Sequence, residues 1–352
     1  MDASAIPMQP MAVLHDHLDG GLRPSTILEL ADEQGYTRLP APDARGLGAW
    51  FHQGGSGSLE SYLDAFEHTV SVMQTEAAIS RVAYEAGVDL ATDGVVYAEV
   101  RFAPSRAMRR GLSRDAVLEA MLDGFQRAGR DTGISVYGIA AALRHESDSV
   151  DVAKAAGRYV GRGIVGFDLA GPEKGFPADA HMEACRIAKE AGLGLTLHAG
   201  ESDGPNSMWR ALALCGAQRL GHGVHVVEDT SFEHGIVSNL GAFARRVRDH
   251  RIPLEVAITS NLHTGSWTNV SEHPFGALHA AGFNVSINTD NRLMSGVSMS
   301  DEYALTSRAF GLSTDDLTEI TVRAIESGFG DWSVRRDLIA GIRNRGRIVE
   351  DR

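Results

Sequence analysis

The chain has 352 residues, 43% apolar and 22% charged, with a formal net charge of −13 at neutral pH. That composition describes a folded globular chain rather than a disordered one, and its acidity argues against a nucleic-acid partner, whose phosphates it would repel. Cys185 and Cys215 are the only cysteines and read as buried reduced thiols. No apolar run reaches membrane-spanning length, and the start MDASAIPMQP lacks the basic and apolar regions of a signal peptide. These features predict one cytoplasmic domain over residues 1–352, with no membrane partner.

In chain order, a short apolar, β-branched run recurs, and a helical pattern follows it. The runs are MAVLHDH (11–17), GVVYAEVRF (94–102), SVYGIAAALRH (135–145), IVGFDLAG (164–171), LGLTLHAGE (193–201), RLGHG (219–223), IPLEVAITSN (252–261) and FNVSINTD (283–290). Eight strands alternating with helices imply parallel pairing, and eight is the number that closes a (β/α)8 TIM barrel. An open doubly wound sheet would want a Gly-rich phosphate turn after an early strand, but GGSGS (54–58) follows no strand. Residues 24–90 exceed one crossover helix and predict extra helices over the first strand's carboxyl end. Pro177 and Pro205 stand where a first helical residue would, and Ser313 with Asp316 has the capping-box pattern.

In such barrels the active site gathers at the carboxyl ends of the strands, and the chemically capable residues fall there. In the first strand, His15 and His17 share a face and Asp16 takes the other, since side chains at i and i+2 point the same way. In the fifth, Leu193, Leu195 and Leu197 alternate with Gly194, Thr196 and His198, which puts His198 inside. In the eighth, Asn284, Ser286, Asn288 and Asp290 oppose Phe283, Val285 and Ile287. Singly, His198 is equally a core histidine and Asp290 a helix cap. Together, His15, His17, His198 and Asp290 make a donor set for one zinc-like cation, which would bring a water's pKa toward about 7. Glu201, three residues past His198, suits a general acid whose carboxyl pKa is raised by a dry mouth. Its plainer reading is an exposed loop glutamate. His222, flanked by glycines, could turn toward an attacking oxygen, or be an ordinary buried histidine.

The segments LHDHLDGG, GFDLAGPE, HAGE, RLGHG, TSNLHTG and SINTD, in this order over residues 13–296, resemble the adenosine deaminases. The resemblance implies a barrel enzyme with one Zn2+ per chain that converts adenosine or 2′-deoxyadenosine to the inosine product and ammonia. It implies His15, His17, His198 and Asp290 as ligands, Glu201 as the acid at purine N1 and His222 as the residue steering the attack on C6. Gly171 would offer its N–H to N3, and Asp19 would bind the ribose. Leu59, Tyr62, Leu63 and Phe66, an apolar stripe at i, i+3, i+4 and i+7, would line an apolar lid or simply pack in the core.

Two positions depart from the common family pattern. Asn291 stands where a second Asp usually follows the ligand; its amide can donate to N7 without first binding a proton, and it could alter base preference. Ala257-Ile258 replaces a Cys-Pro pair. Another 6-aminopurine nucleoside, such as an aminodeoxyfutalosine-like compound, fits the same constellation. Free adenine fits less well, because the adenine-specific members carry HLEG where this chain has Asp19-Gly20. A binuclear phosphoesterase or amidohydrolase would want a bridging lysine at the fourth strand's end, where this chain has DLAG.

Overall fold

The computed structural model describes residues 9–52, 54–55, 65–233 and 236–350, with side chains through residue 344. Strand β1 (Met11–His17) is followed by β2 (Val95–Phe102), β3 (Ser135–Leu143), β4 (Ile164–Ala170), β5 (Gly194–Ala199) and β6 (Arg219–His222). An outlying antiparallel pair, β7 (Thr230–Glu233) with β8 (Ile236–Leu240), precedes β9 (Leu254–Val256) and β10 (Val285–Ile287). The eight-stranded sheet runs β1-β2-β3-β4-β5-β6-β9-β10, and its pairings are parallel.

The ring closes at its carboxyl end, beyond β10 proper. His17 N–H donates to the Asp290 carbonyl at 2.7 Å, and Asp290 N–H donates to the His15 carbonyl at 2.9 Å, a parallel bridge centred on Asp16 and Asp290. Asn288 adds a side-chain clasp, its Oδ1 accepting from the N–H groups of Leu14 (2.9 Å) and His15 (3.1 Å). The two strands that carry three of the four proposed ligands are therefore fastened together where those side chains emerge. The structure is the (β/α)8 barrel that the strand count predicts. The alternation holds as well: Leu195 and Leu197 are fully buried among apolar residues, while Thr196 donates its hydroxyl to Glu255 inside the barrel at 2.7 Å.

The long segment after β1 folds into helices Pro24–Gln34, Ala44–Phe51, Phe66–Val72 and Glu76–Thr92, and the third of these packs on the turn Leu18–Gly20 that leaves β1. Leu59, Tyr62 and Leu63 lie outside the described residues. Pro205 opens its helix (Pro205–Trp209), whereas Pro177 sits one residue before the turn Ala178–His181; Ser313 and Asp316 form the capping box. Among the described residues no helix is long and apolar enough to cross a membrane.

The structure corrects one strand. The run 252–261 is extended only at Leu254–Val256; from Ile258 to His263 it is helical. The Val256 carbonyl is taken by the backbone and side-chain N–H groups of Asn288, and beyond it the ladder gives way to helix. Ser260 and Asn261 thus reach the barrel mouth from a helix turn, not from a strand end. The β7–β8 pair was not foreseen, because its strands are short and largely exposed and lack a buried face to pattern them.

Candidate active site

Two histidines of the donor set are fixed by carboxylates behind them. His15 Nδ1 donates to Glu255 Oε2 at 3.1 Å, and His198 Nδ1 pairs with Asp168 Oδ2 at 2.9 Å. With Nδ1 carrying the proton, each ring turns the lone pair of Nε2 toward the mouth, the arrangement that ligating imidazoles adopt. The Nε2 atoms converge: His17 and His198 approach to 3.2 Å, and both His15 and His17 lie 3.3 Å from Asp290 Oδ1. Ser260 donates to the other Asp290 oxygen at 2.6 Å.

The electrostatics of His17, His198 and Asp290 agree with a donor set. Burial works against the charged Asp290 carboxylate, yet the neighbouring imidazoles hold its pKa well below the usual range. Burial and surrounding cations push His17 well below 6.5 and lower His198 too, keeping both neutral. Burial also opposes a proton on His15, but the Asp290 and Glu255 carboxylates beside its two ring nitrogens raise its pKa. Ligand atoms of His15, His17, His198 and Asp290 all lie within 4.8 Å of one another, and the buried His15 Nε2 has no hydrogen-bond partner. An orphaned buried nitrogen costs about 1–3 kcal/mol. Three imidazole nitrogens and one carboxylate oxygen form a donor set that fits a zinc-like dication.

Arg101 spans the two carboxylates behind the ligands. Its guanidinium donates to Asp168 Oδ2 at 2.8 Å, to Glu255 Oε2 at 2.7 Å and to the Leu14 carbonyl at 2.8 Å. Arg219 reaches the other Glu255 oxygen at 2.7 Å and pairs with Glu99 at 2.7 Å. Sequence reasoning missed Arg101, Asp168 and Glu255 as functional residues. The available signal was a charged residue inside an apolar strand: Arg101 in AEVRF and Glu255 in PLEVA.

A second cluster shares Asp290 with the first. Glu201 and His222 form one with Asp290, and Glu201 Oε1 stands 3.7 Å from His222 Nε2. Asn261 Nδ2 donates to His222 Nδ1 at 3.0 Å, while its Oδ1 accepts from His273 at 3.2 Å. Burial pushes His222 well below 6.5, so the ring is neutral and carries its proton on Nε2, the atom nearest Glu201. His222 and Asp290 both take left-handed backbone angles, φ 66° and 58°. Such angles in non-glycine residues cost about 1–3 kcal/mol and collect at functional sites. Gly221 lets the strands crowd, because a Cβ there would lie 3.1 Å from the His15 ring and from His198 Cα.

These clusters open on one cavity of about 440 Å³, within the ~300–1,000 Å³ of ordinary small-molecule sites. His17, Asp19, Phe66, Gly171, His198, Glu201, His222, Asp290 and Asn291 line it, so the structure gathers all of the sequence-derived site residues it describes, except His15, which sits just behind. Arg106, His145 and Phe176 also line it and had no assigned part. Burial raises the Asp19 carboxyl to about 6.

A parallel barrel with an imidazole–carboxylate cluster at its mouth is the architecture of a metal-dependent hydrolase. The adenosine deaminase family model matches residues 10–345. The chain is 48% identical over 336 residues to adenosine deaminase 1 of Streptomyces coelicolor, covering 94% of this chain and 85% of that protein. It is 47% identical over 340 residues to the adenosine deaminase of Mycobacterium leprae, covering 95% and 94%. Among solved structures it resembles an adenine deaminase from Arthrobacter aurescens (TM-score 0.85, 25% identity, 96% and 99% covered). It also resembles the N6-methyl-AMP deaminase of Arabidopsis thaliana (TM-score 0.79, 26% identity, 96% and 97% covered). The chain belongs to the adenosine deaminase family and is a hydrolytic enzyme.

Glu255→Gln fills the same space but removes the charge behind His15. It is expected to weaken metal affinity roughly 10- to 100-fold, measured by competition with a chromogenic chelator; unchanged affinity would mean that Glu255 does not support the ligand.

Proposed function

We propose that this enzyme catalyses zinc-dependent hydrolytic deamination of adenosine and 2′-deoxyadenosine to inosine and 2′-deoxyinosine plus ammonia, a step of purine salvage. The observation that carries the reading is a pair of adjoining clusters in one cavity: a ligand set that shares Asp290 with an acid beside a neutral imidazole. The names of the relatives support a purine C6 substituent as the group removed.

His15, His17, His198 and Asp290 would hold the cation, which supplies Lewis acidity and brings a water's pKa toward about 7. Glu201 carries one proton of the attacking water to N1 as oxygen adds to C6, then takes the second from the added hydroxyl as it becomes the carbonyl and passes it to the departing ammonia. His222, neutral with its proton on Nε2, donates a hydrogen bond to the attacking oxygen and keeps it on the correct face of the ring. Asn291 answers N7. Its Oδ1 packs against Gly20, where a Cβ would come within 2.1 Å, so the amide nitrogen is the end left for the base. Gly171 N–H would meet N3. Asp19 would accept from the ribose hydroxyls, and Phe66 would shield the base from water.

Ammonia release from a panel of adenosine, 2′-deoxyadenosine, adenine and AMP, with metal analysis of the same sample, tests the reading. The two nucleosides are expected to be the best substrates, and a clear preference for adenine or AMP would overturn it. Glu201→Gln is expected to lose about 10²- to 10⁴-fold in kcat while keeping its metal; residual turnover near wild type would remove Glu201 as the proton carrier.

Asn291→Asp should keep activity with altered base preference. A carboxyl donates to N7 only when protonated, so its kcat/KM is expected to fall more steeply toward alkaline pH than that of the wild type. Complete inactivity, or an identical pH profile, would contradict the N7 contact.

A further inference from the structure

The carboxylate of Glu173 has no part in the chemistry above, yet it is 3% exposed and accepts five hydrogen bonds. It follows β4 after Gly171 and Pro172 and reaches across to the segment that leaves β5. Its Oε1 accepts from Gly200 N–H at 2.7 Å and from the Ser207 hydroxyl at 2.6 Å. Its Oε2 accepts from the N–H groups of Glu201 (3.1 Å), Ser202 (2.9 Å) and Asp203 (3.1 Å). Four consecutive backbone donors thus converge on one acceptor-only group, an anion-binding concavity filled from within the chain. The turn that makes the concavity needs Gly200, whose φ is 76° and where a Cβ would strike the Met208 sulfur at 2.5 Å.

The second residue of this turn is Glu201. Its N–H is held by Glu173, and its carbonyl accepts from the Ser266 hydroxyl at 2.8 Å. With both ends of its peptide fixed, only side-chain torsions remain between the backbone and a carboxyl 3.7 Å from His222 Nε2. Glu173 does not line the cavity.

We propose that Glu173 is a positioning residue: its carboxylate holds the Gly200–Asp203 turn so that the Glu201 carboxyl stands opposite His222, and it acts only through Glu201. This rests on the proposed role of Glu201. In Glu173→Gln an NH2 group replaces one oxygen and faces backbone donors, so the turn loosens without a change in side-chain size. Misplacement of a reacting group by about 1 Å can cost on the order of 10²-fold in rate.

The test is steady-state kinetics of the metal-loaded Glu173→Gln enzyme on adenosine, with metal analysis and amide hydrogen exchange on the same preparation. Expected are a roughly 10- to 100-fold fall in kcat, KM within about threefold, full metal content, and faster exchange confined to residues 200–203. A kcat near wild type, a loss carried by KM, or loss of metal together with kcat would each overturn the proposal. Unchanged exchange at residues 200–203 would overturn it whatever the substrate. If wild type itself releases no ammonia from adenosine, the functional reading fails, and the exchange measurement still decides the role of Glu173. Should Glu173→Gln fail to fold, Glu173→Asp carries the same test, with a smaller loss of the same pattern expected.

Discussion

The guanidinium of Arg101, fully buried between Asp168 and Glu255, is the constraint on which the site depends. One oxygen of each carboxylate meets both that cation and a proposed ligand imidazole, so His198 and His15 are oriented from a single interior point. Burial alone would raise both carboxyl pKa values, but the charges around them hold Asp168 and Glu255 well below the usual range. Buried ion pairs are poor sources of stability, because desolvation offsets their attraction, whereas removing one partner typically costs about 3–5 kcal/mol. The barrel therefore gains a fixed geometry from this network rather than a deeper energy minimum. Preorganised ligands are what a cation site requires.

At the mouth, strands and turns make different contributions. Strands β1 and β10, fastened by the Asp16–Asp290 bridge and the Asn288 clasp, carry His15 and His17 and lead into Asp290, while β5 adds His198. Turns and a helix supply the rest: the turn after β5 with Glu201, the left-handed step at His222, and the helix that brings Asn261 to the His222 ring. Rigid strands suit a cation that demands fixed distances. Turns, each held by its own side-chain acceptor or donor, suit groups that must exchange protons with a substrate. The proposed division between holding a cation and moving protons thus follows the division between strands and turns.

Much of this was legible in the sequence, because the fold expresses it locally. A two-residue period assigns His15, His17 and His198 to the barrel interior without tertiary information, and the ends of the apolar runs mark the mouth; Asp290 reaches it past the end of β10, through a left-handed step that no period shows. What was not legible arises from long-range pairing. The helix at Ile258–His263 begins inside a β-branched run, just past the last carbonyl of β9, which Asn288, far away in sequence, takes. Asp168, Glu255 and Glu173 look like ordinary strand and loop acids until the closed barrel sets each against its partners. The β7–β8 pair has almost no buried face and so leaves no hydrophobic period to read.

The central claim is that one cation is held by three imidazoles and one carboxylate at the barrel mouth. Anomalous diffraction at the zinc edge, from crystals of the purified enzyme, tests it most directly. The account predicts a single strong peak per chain, about 2.0–2.2 Å from the Nε2 atoms of His15, His17 and His198 and from an Asp290 oxygen. A second metal peak within bridging distance, or a peak that omits any of these four side chains, would contradict it.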